Sequence, residues 1–569
     1  MWNGAERGGY PAFVDPHGSA LHPLVITATL VFGVVNGSKV ALIIAFWLGG
    51  AAQWWAARVM RLSWIARLWS GFMGVVGGHL AARMELGAFG VVLSVATCSL
   101  VFPAVISVAR SQSRRASILL GVVLASAFLA GQGYIQFGLL STAPAFLFLL
   151  LDDLRLRSVW REYAVALGLA VLLAAPFLVP LVHFVPNFSK AGDEAFGVAQ
   201  PLEYVPLSLV IRDLEFLTSP VLGKSIYPHL NAIYIGWVPV LLAALCLHLA
   251  QRQDRRTLLF LGACAALSFL SASAIPLRRL QSLVPVLAWV RHPPQIAALA
   301  VPPILALSAY GLDKLLKANW PRLALNYQVS SGEKRDGISL RWLLILPLVW
   351  NLYTAYGFAR NWLYTTELRG DVQAVLRALH TPDLQWVEPP FGEHFWIEPA
   401  VGMGLKLSPG IMTWQWKGRA LPKPYLEASR TGPPVGGVQV EEAEGIPIYR
   451  HEDQVYAFVR AEEETIQCHA FGIGGDLLVE CSNHREGRLL VTENSWTGWY
   501  AWRDGERTAL LEDRWLSVDA PAGEHTYRFR YLPWDVPLGV FVSLLGIALC
   551  IWQWIQHPPS RNASLVQFN

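Results

Sequence analysis

Charged residues are scarce in this chain of 569 residues. Asp, Glu, Lys and Arg together make up 15% of it, whereas hydrophobic residues make up 54%. Soluble domains carry about 25% charged residues. The composition therefore excludes a wholly soluble or disordered protein, and the length cannot simply be divided into soluble domains of about 150 residues.

Cysteine is also scarce, and six residues in a chain of this length exclude a disulfide scaffold. Four of them fall in apolar segments, where packing explains them: Cys98, Cys246, Cys264 and Cys550. Cys468 and Cys481 lie in two strand-like runs that flank a glycine-rich turn. They could pair across a hairpin if their compartment is oxidising.

Several catalytic motifs are absent as well. The sequence has no P-loop, no dinucleotide fingerprint, no zinc-type Cys/His spacing and no serine nucleophile elbow. It also has no basic tract, so we expect no nucleic-acid partner.

The net charge of +4 is an average over two unlike parts. Residues 361–534 hold 25 Asp and Glu against 16 Lys and Arg, a net charge of −9, and the rest of the chain has a net charge of +13. This distribution indicates a membrane protein that carries one water-soluble domain. Strand-like runs at 489–492 and 527–531, with turn signals between them, predict that this domain is a β-sandwich.

Apolar runs long enough to cross a bilayer predict about eleven spans. They lie near residues 40–57, 64–83, 87–109, 116–132, 134–151, 162–184, 231–250, 257–275, 295–316, 342–359 and 535–556. The shorter apolar run 21–35 is interpreted as a helix at the membrane interface. The predicted regions are an outer segment 1–38, a transmembrane domain 39–359, an extracytoplasmic β-rich domain 360–534, the last span 535–556 and a cytoplasmic tail 557–569.

Orientation follows from the loops, because cytoplasmic loops are enriched in Lys and Arg. Alternate loops such as 110–115 and 252–256 carry that excess and are predicted to be cytoplasmic. The segment 1–38, the loops 185–230 and 276–294 and the soluble domain then face outward. Residues 1–20 do not resemble a signal peptide. Either a short tail crosses the membrane unaided, or the natural chain begins earlier with another span.

The outer loop 276–294 is unusual because short outer loops are normally poor in arginine. It contains Arg278, Arg279, Arg291 and His292. Guanidinium groups at a membrane surface suit bidentate contact with phosphate, which predicts a site for a lipid-linked phosphate. The alternatives are snorkelling to lipid headgroups and pairing with acidic residues of the soluble domain.

Two outward carboxylates near the membrane are candidate catalytic groups, Asp15 and Glu85. Either could act as a general base on an acceptor hydroxyl or hold a divalent cation. The structural alternatives are an Asx turn before Pro16 for Asp15, and a pairing with Arg83 or a neighbouring helix for Glu85.

Five stretches near the C-terminus carry a recognisable pattern: 490–499, 502–505, 521–526, 531–533 and 539–543, which read LVTENSWTGW, WRDG, PAGEHT, YLP and GVFVS. This pattern resembles that of the YfhO-type bacterial membrane proteins. Weaker matches at 8–11, 15–16, 21–24, 70–72, 129–132, 234–236 and 291–293 extend it over nearly the whole chain.

This resemblance implies the GT-C glycosyltransferase class, with a polytopic helical fold and an outward β-sandwich before the last span. It implies a polyprenyl-phosphate sugar as donor, a cell-envelope polymer, lipid or protein as acceptor, and a site on the outer face of a bacterial cytoplasmic membrane. The chain departs from the pattern at two points. First, the catalytic aspartate of this class usually lies upstream of the segment that matches Gly8–Pro11, and this sequence starts too late to include that position. Second, Gln132 stands where a histidine is common.

Three function classes follow. In the first, a sugar transferase, Asp15 or Glu85 assists the acceptor or a metal, and the outer arginines hold the carrier phosphate. In the second, a non-catalytic membrane subunit docks a protein or a glycan through its outer β-domain. Candidate contacts for that role, which could equally be core or membrane-belt residues, are Trp496, Trp499 and Trp502. The third, a transporter, lacks the paired broken helices of inverted repeats. Expected partners are membrane lipid, the lipid-linked sugar donor and other proteins of a complex.

Overall fold

The computed structural model of the chain has two compact units, each built from segments that are distant in sequence. The first, here the β unit, comprises Met1–Asp15, Leu178–Ala191 and Thr365–Gly539. The second, here the helical unit, comprises Pro16–Phe177, Gly192–Tyr364 and Val540–Asn569. The structure describes residues 1–84, 89–150, 156–190, 200–219, 231–273, 279, 282–283, 287, 289–290, 293–320, 322–323, 338–363, 369–390, 396–410, 414–419, 421–462 and 464–558.

The helical unit confirms a multi-pass helical membrane protein. Among the described residues, seven helices are long and apolar enough to cross a bilayer. They are Pro23–Val59, Phe89–Ser111, Gly133–Leu150, Arg255–Ala272, Pro293–Lys317, Leu340–Arg360 and Asp535–Gln556. The last of them begins in the β unit, and an eighth candidate consists of two helices bent by 72°, Val159–Leu173 and Ala175–Asn187.

Shorter helices complete the helical part of the chain. The α-helical ones are Trp64–Val76, Gly78–Ala81, Arg114–Leu129, Leu214–Thr218 and Trp237–His248. Short 3-10 turns cover Ala82–Met84 and Val205–Leu209, and a two-stranded ribbon pairs Arg322–Leu323 with Ile338–Ser339.

The first long helix differs from the sequence prediction. The interfacial helix expected at 21–35 and the span expected at 40–57 form one helix, Pro23–Val59. It is interrupted at Gly33, whose φ of 77° is a left-handed conformation that glycine adopts without steric cost. The boundary expected at residue 38 therefore falls inside a helix.

The β unit contains the predicted sandwich. One sheet has four strands in the order Glu464–Gln467, Ala457–Ala461, Gly487–Asn494 and Trp515–Ala520. The other has five, in the order His469–Ile473, Asp476–Asn483, Gly523–Tyr531, Trp499–Arg503 and Glu506–Thr508. All pairings in both sheets are antiparallel.

The sandwich forms because its strands alternate between apolar and polar residues. In Asp476–Asn483, Leu477, Val479 and Cys481 point into the core and the residues between them are exposed. Trp499 is also in this core at 4% exposure, so of the three tryptophans proposed as contacts it offers no surface to a partner.

A third sheet, of mixed strand direction, precedes the sandwich in the chain and is not predicted by the sequence patterns. Its strands are ordered Val438–Ala443, Ile446–Arg450, Leu426–Ala428, Trp386–Glu388 and Lys406–Leu407, and the last two pairings are parallel. The helices Gly370–Ala378 and Ile397–Gly402 share one hydrophobic core with this sheet. The C-terminal part of the β unit thus consists of an α/β layer followed in the chain by a sandwich.

The N-terminal segment is part of the β unit. Trp2–Asn3 pairs with Tyr10–Pro11, and the side chains of Trp2, Tyr10 and Val14 lie in the core of the sandwich. A second short ribbon joins Phe188–Ser189 to Gln415–Trp416. Strand pairing and burial therefore make residues 1–15 and 178–190 part of the β unit.

Candidate functional site

Asp15 ends the first of the three segments that form the β unit, directly after the 3-10 turn Ala12–Val14. Its side chain is half-buried, and its Oδ1 accepts a hydrogen bond from the indole Nε1–H of Trp414 at 3.3 Å. Trp414 is only 2% exposed, so its ring provides a fixed donor. The indole therefore orients a carboxylate that the sequence alone identified as a candidate base.

Tyr10 lies beside this carboxylate. Its ring packs edge-on against Trp414, with 5.4 Å between the ring centroids. Burial raises the pKa of Tyr10 well above 10, and the charges of Asp15 and Glu6 add to that shift. The phenol thus stays neutral at any physiological pH and keeps a hydroxyl proton beside Asp15, while its oxygen accepts a bond from Asn3 Nδ2 at 2.7 Å.

The residues that follow Asp15 in the chain are held in the helical unit by a strained loop. Gly131 and Gln132 both have left-handed backbones, with φ of 72° and 62°. The side-chain Nε2 of Gln132 donates to the carbonyl of His17 at 3.2 Å, and the backbone N–H of Gly133 donates to the carbonyl of Pro16. Gln132, noted above as a departure from the family pattern, therefore positions the segment directly after Asp15.

Of the other predicted site residues, only Arg279 lies within the part of the chain that the structure describes. It is exposed, and its carbonyl accepts a bond from Ser282 Oγ at 3.3 Å. Four predicted residues lie outside the described residues: Glu85, Arg278, Arg291 and His292. The carrier-phosphate assignment therefore stays a prediction.

The helical unit contains a fully buried guanidinium, that of Arg83, which the sequence suggests only as a partner for Glu85. Arg83 is fully buried at 0% exposure, two residues before Glu85 in the chain, and its Nη1 donates to the carbonyl of Ala232 at 3.2 Å. His79, one helical turn earlier, is also buried. The signal for this pair was an arginine inside an apolar run, which is costly near lipid and often marks a functional position.

The irregular segment 231–236, whose Ala232 carbonyl accepts from Arg83, is held by two further donors. Gly78 N–H donates to the carbonyl of Tyr234 at 2.8 Å, and Asn351 Nδ2 donates to the carbonyl of Ile235 at 3.0 Å. Gly236 has a φ of 88° and faces Asn351 so closely that a Cβ there would overlap its side chain. Residues 234–236, one of the weaker matches to the YfhO-type pattern, thus form a backbone segment held by buried polar groups.

No candidate metal site emerges from the described residues, where no three His, Cys, Asp or Glu side chains are grouped so that they could hold an ion.

No family model and no curated protein matches the chain. Among solved structures, the cryo-EM structure of arabinofuranosyltransferase AftD from mycobacteria is similar, with 10% identity, coverage of 94% of this chain and 54% of that chain, and a TM-score of 0.48. A mutant form of the same transferase covers 94% of this chain and 56% of its own, with 10% identity and a TM-score of 0.43. The chain spans about half the length of these proteins.

Proposed function

We propose that this protein is a GT-C-like membrane glycosyltransferase that moves a sugar from a polyprenyl-phosphate carrier to a cell-envelope acceptor. The observation that supports this most directly is the Asp15 carboxylate, oriented by the Trp414 indole at 3.3 Å. The resemblance to the YfhO-type proteins implies the same class of reaction, glycosyl transfer.

In this reaction Asp15 acts as the general base. It removes the proton from an acceptor hydroxyl as that oxygen attacks the anomeric carbon of the donor sugar, and the bond from that carbon to the carrier phosphate breaks. The carrier leaves as a phosphate, so stabilisation of its growing negative charge is the second requirement. Arg278, Arg279, Arg291 and His292 are proposed to supply it, with Glu85 as the alternative base.

We further propose that the β unit lies outside the cytoplasm of a bacterial cell. Met1–Asp15, Leu178–Ala191 and Thr365–Gly539 share one compact unit, so all three must lie on one side of the membrane. The orientation predicted from Lys and Arg in the loops assigns each of them to the outer side. A disulfide within the unit, Cys468–Cys481, supports an oxidising compartment.

The test is a transfer assay with the full chain in lipid nanodiscs. Polyprenyl-phosphate arabinofuranose, mannose and glucose serve as donors, and cell-envelope extract serves as acceptor. Asp15→Asn should lower turnover by about 10²–10⁴-fold, the usual contribution of a general base, because the amide cannot take a proton. Arg291→Ala should abolish transfer through loss of phosphate contact.

The matched control is Asp371→Asn, which also neutralises an aspartate of the β unit but at the surface, where Asp371 pairs with Arg369. Its turnover should equal that of the wild type. Full activity of Asp15→Asn would remove Asp15 from the mechanism and leave Glu85 as the candidate base. No transfer from any donor by the wild-type chain would favour the non-catalytic subunit.

A further inference from the structure

The β unit contains a small open cavity, and two of the residues that line it, Tyr10 and Trp414, also interact with Asp15. Its volume is about 180 Å³, and its walls also include Arg7, Trp416 and Arg419. That volume is the share of about six liquid water molecules, so it suits one monosaccharide residue rather than a larger ligand. Gln415 and Leu421 also line it and are both exposed, so the cavity is reached from solvent past these two side chains.

Aromatic rings form one part of the wall. Trp414 and Trp416 are 2% and 9% exposed, so both rings are held rigidly by their surroundings. Trp414 stacks on Phe188 with 5.3 Å between centroids, and Trp416 packs edge-on against Trp496 at 5.2 Å. Rigid aromatic walls bind an apolar ring face at little cost in conformational entropy.

Positive charge forms another part of the wall. The guanidinium of Arg419 lies 5.0 Å from the Trp416 ring and donates to the carbonyls of Ser495 and Arg514, at 2.6 and 2.9 Å. Among the described residues Arg419 has no carboxylate within ion-pair distance. Burial lowers the pKa of Arg419 and the charge of Arg514 lowers it further, while the charge of Asp513 opposes part of that shift. An anion in the cavity would reverse this cost by pairing with the guanidinium.

The second arginine is held in place by a strained backbone. Arg7 has a φ of 56°, and Gly8 and Gly9 after it have φ of 79° and 76°. Asn494 Nδ2 holds this turn by donating to the carbonyls of Arg7 and Gly9, at 3.1 and 3.0 Å. A left-handed non-glycine residue is unfavourable, and such strain is found preferentially at ligand-binding positions.

We infer that this cavity binds a sugar residue that carries a carboxylate or a phosphate group. The aromatic wall takes the apolar face of the ring, the two guanidinium groups take the anionic oxygens, and Asn494 and Gln415 offer hydrogen bonds to hydroxyl groups. Its role as the acceptor subsite next to Asp15 rests on the proposed function, whereas the binding itself does not.

Bulk electrostatics does not produce this preference. Residues 361–534 have a net charge of −9, so an anion is repelled by the domain as a whole. Attraction must therefore come from short-range contact with Arg7 and Arg419, which predicts recognition of one anionic group rather than of any polyanion.

The experiment titrates the full-length protein in nanodiscs and follows tryptophan fluorescence, with no donor lipid present. The probes are methyl glucuronide, glucose 6-phosphate, glucose and inorganic phosphate. Either or both acidic sugars should bind at least ~10-fold more tightly than glucose, because a charge-assisted contact contributes about 1.5–3 kcal/mol and ~1.4 kcal/mol is tenfold. The two acidic probes distinguish a carboxylate from a phosphate ligand.

Two variants locate the binding. Arg419→Gln should weaken it at least ~10-fold through loss of the charged contact. Gln415→Trp should block the cavity from an exposed position that the core does not depend on, so it stays informative if Arg419→Gln fails to fold. The control is Lys417→Gln, which removes an exposed cation from the same short segment outside the cavity and should leave the affinity unchanged.

Three results would overturn the inference: no saturable binding of either acidic sugar, glucose binding as tightly as the better acidic sugar, or binding that survives Gln415→Trp. A fourth result would show that the sugar assignment is wrong and that the aromatic wall has no role. In that case inorganic phosphate binds as tightly as glucose 6-phosphate, and methyl glucuronide does not bind. Because the titration contains no donor, its failure leaves the Asp15→Asn transfer assay interpretable.

Discussion

Trp2 and Glu493 are 491 positions apart in the chain, and the indole Nε1–H of Trp2 donates to Glu493 Oε2 at 2.8 Å. The other carboxylate oxygen of Glu493 pairs with the Lys406 ammonium and accepts a hydrogen bond from the Tyr456 hydroxyl at 2.8 Å. Lys406 also donates to the carbonyl of Gly4 at 2.7 Å. One buried ion pair thus fastens the N-terminal segment to the sandwich.

The first prediction concerns this ion pair. Glu493→Gln leaves the Lys406 ammonium buried without its carboxylate, and breaking such a pair costs about 3–5 kcal/mol. We expect a lower melting temperature for the β unit and faster hydrogen exchange in residues 1–15. Glu480→Gln removes an exposed carboxylate from a sandwich strand and should change stability by less than about 0.5 kcal/mol. Unchanged exchange in Glu493→Gln would show that the pair does not hold the segment.

The second prediction concerns the disulfide between Cys468 and Cys481, whose Cα atoms are 4.7 Å apart. Replacing both with serine should destabilise the β unit by about 3 kcal/mol, the value for a closed loop of about 15 residues. The other four cysteines are free. Labelling of the denatured protein should therefore detect four thiols without reductant and six with it. Six thiols without reductant would refute the disulfide.

The third prediction concerns pH. Glu388 lies across from Glu427 on the neighbouring parallel strand, and burial together with the Glu427 charge raises the pKa of Glu388 from 4.5 to about 7. Glu427 is itself 3.3 Å from the His451 ring. A carboxyl group whose pKa is higher in the folded state favours folding when protonated. Its contribution is therefore fully present below pH 4.5 and is lost as the pH rises through about 7.

The measurement is the melting temperature of the β unit between pH 4.5 and 8. Glu388→Gln should flatten the decline over that range, because the amide carries no charge at any pH. Glu442→Gln, at an exposed position of the edge strand Val438–Ala443, should retain the wild-type slope. An identical slope in Glu388→Gln would assign the pH dependence to other groups.

Hydropathy predicted the spans well where one helix crosses without interruption. The runs expected at 87–109, 257–275 and 535–556 became Phe89–Ser111, Arg255–Ala272 and Asp535–Gln556. It failed where the backbone breaks inside an apolar run. The run 64–83 is broken at Gly77, which is extended with ψ of 139°, and the run 162–184 bends by 72° before Ala175. An average over apolar residues does not detect such breaks, because it does not depend on backbone angles.

The candidate site was predictable in part. Asp15 could be singled out because carboxylates are rare in the membrane-proximal part of the chain. Its partial burial near Tyr10 and Trp414 could not be predicted from the sequence. The rarity is a property of composition, whereas the hydrogen bond from Trp414 joins residues 399 positions apart. Arg83 was visible as a charge in an apolar run, but its complete burial required the packing of several helices.

The sequence by itself determined the division into a hydrophobic part and an acidic part. Hydropathy and charge are properties of single residues, so they can be summed along a segment without knowledge of the fold. The sequence also determined the sandwich strands through their two-residue alternation. Only the tertiary structure decided that residues 1–15 belong to the sandwich, that Arg7 adopts a left-handed backbone and that two arginines line one cavity. These features arise from contacts between segments hundreds of residues apart, and a local sequence pattern cannot predict which distant segments will come into contact.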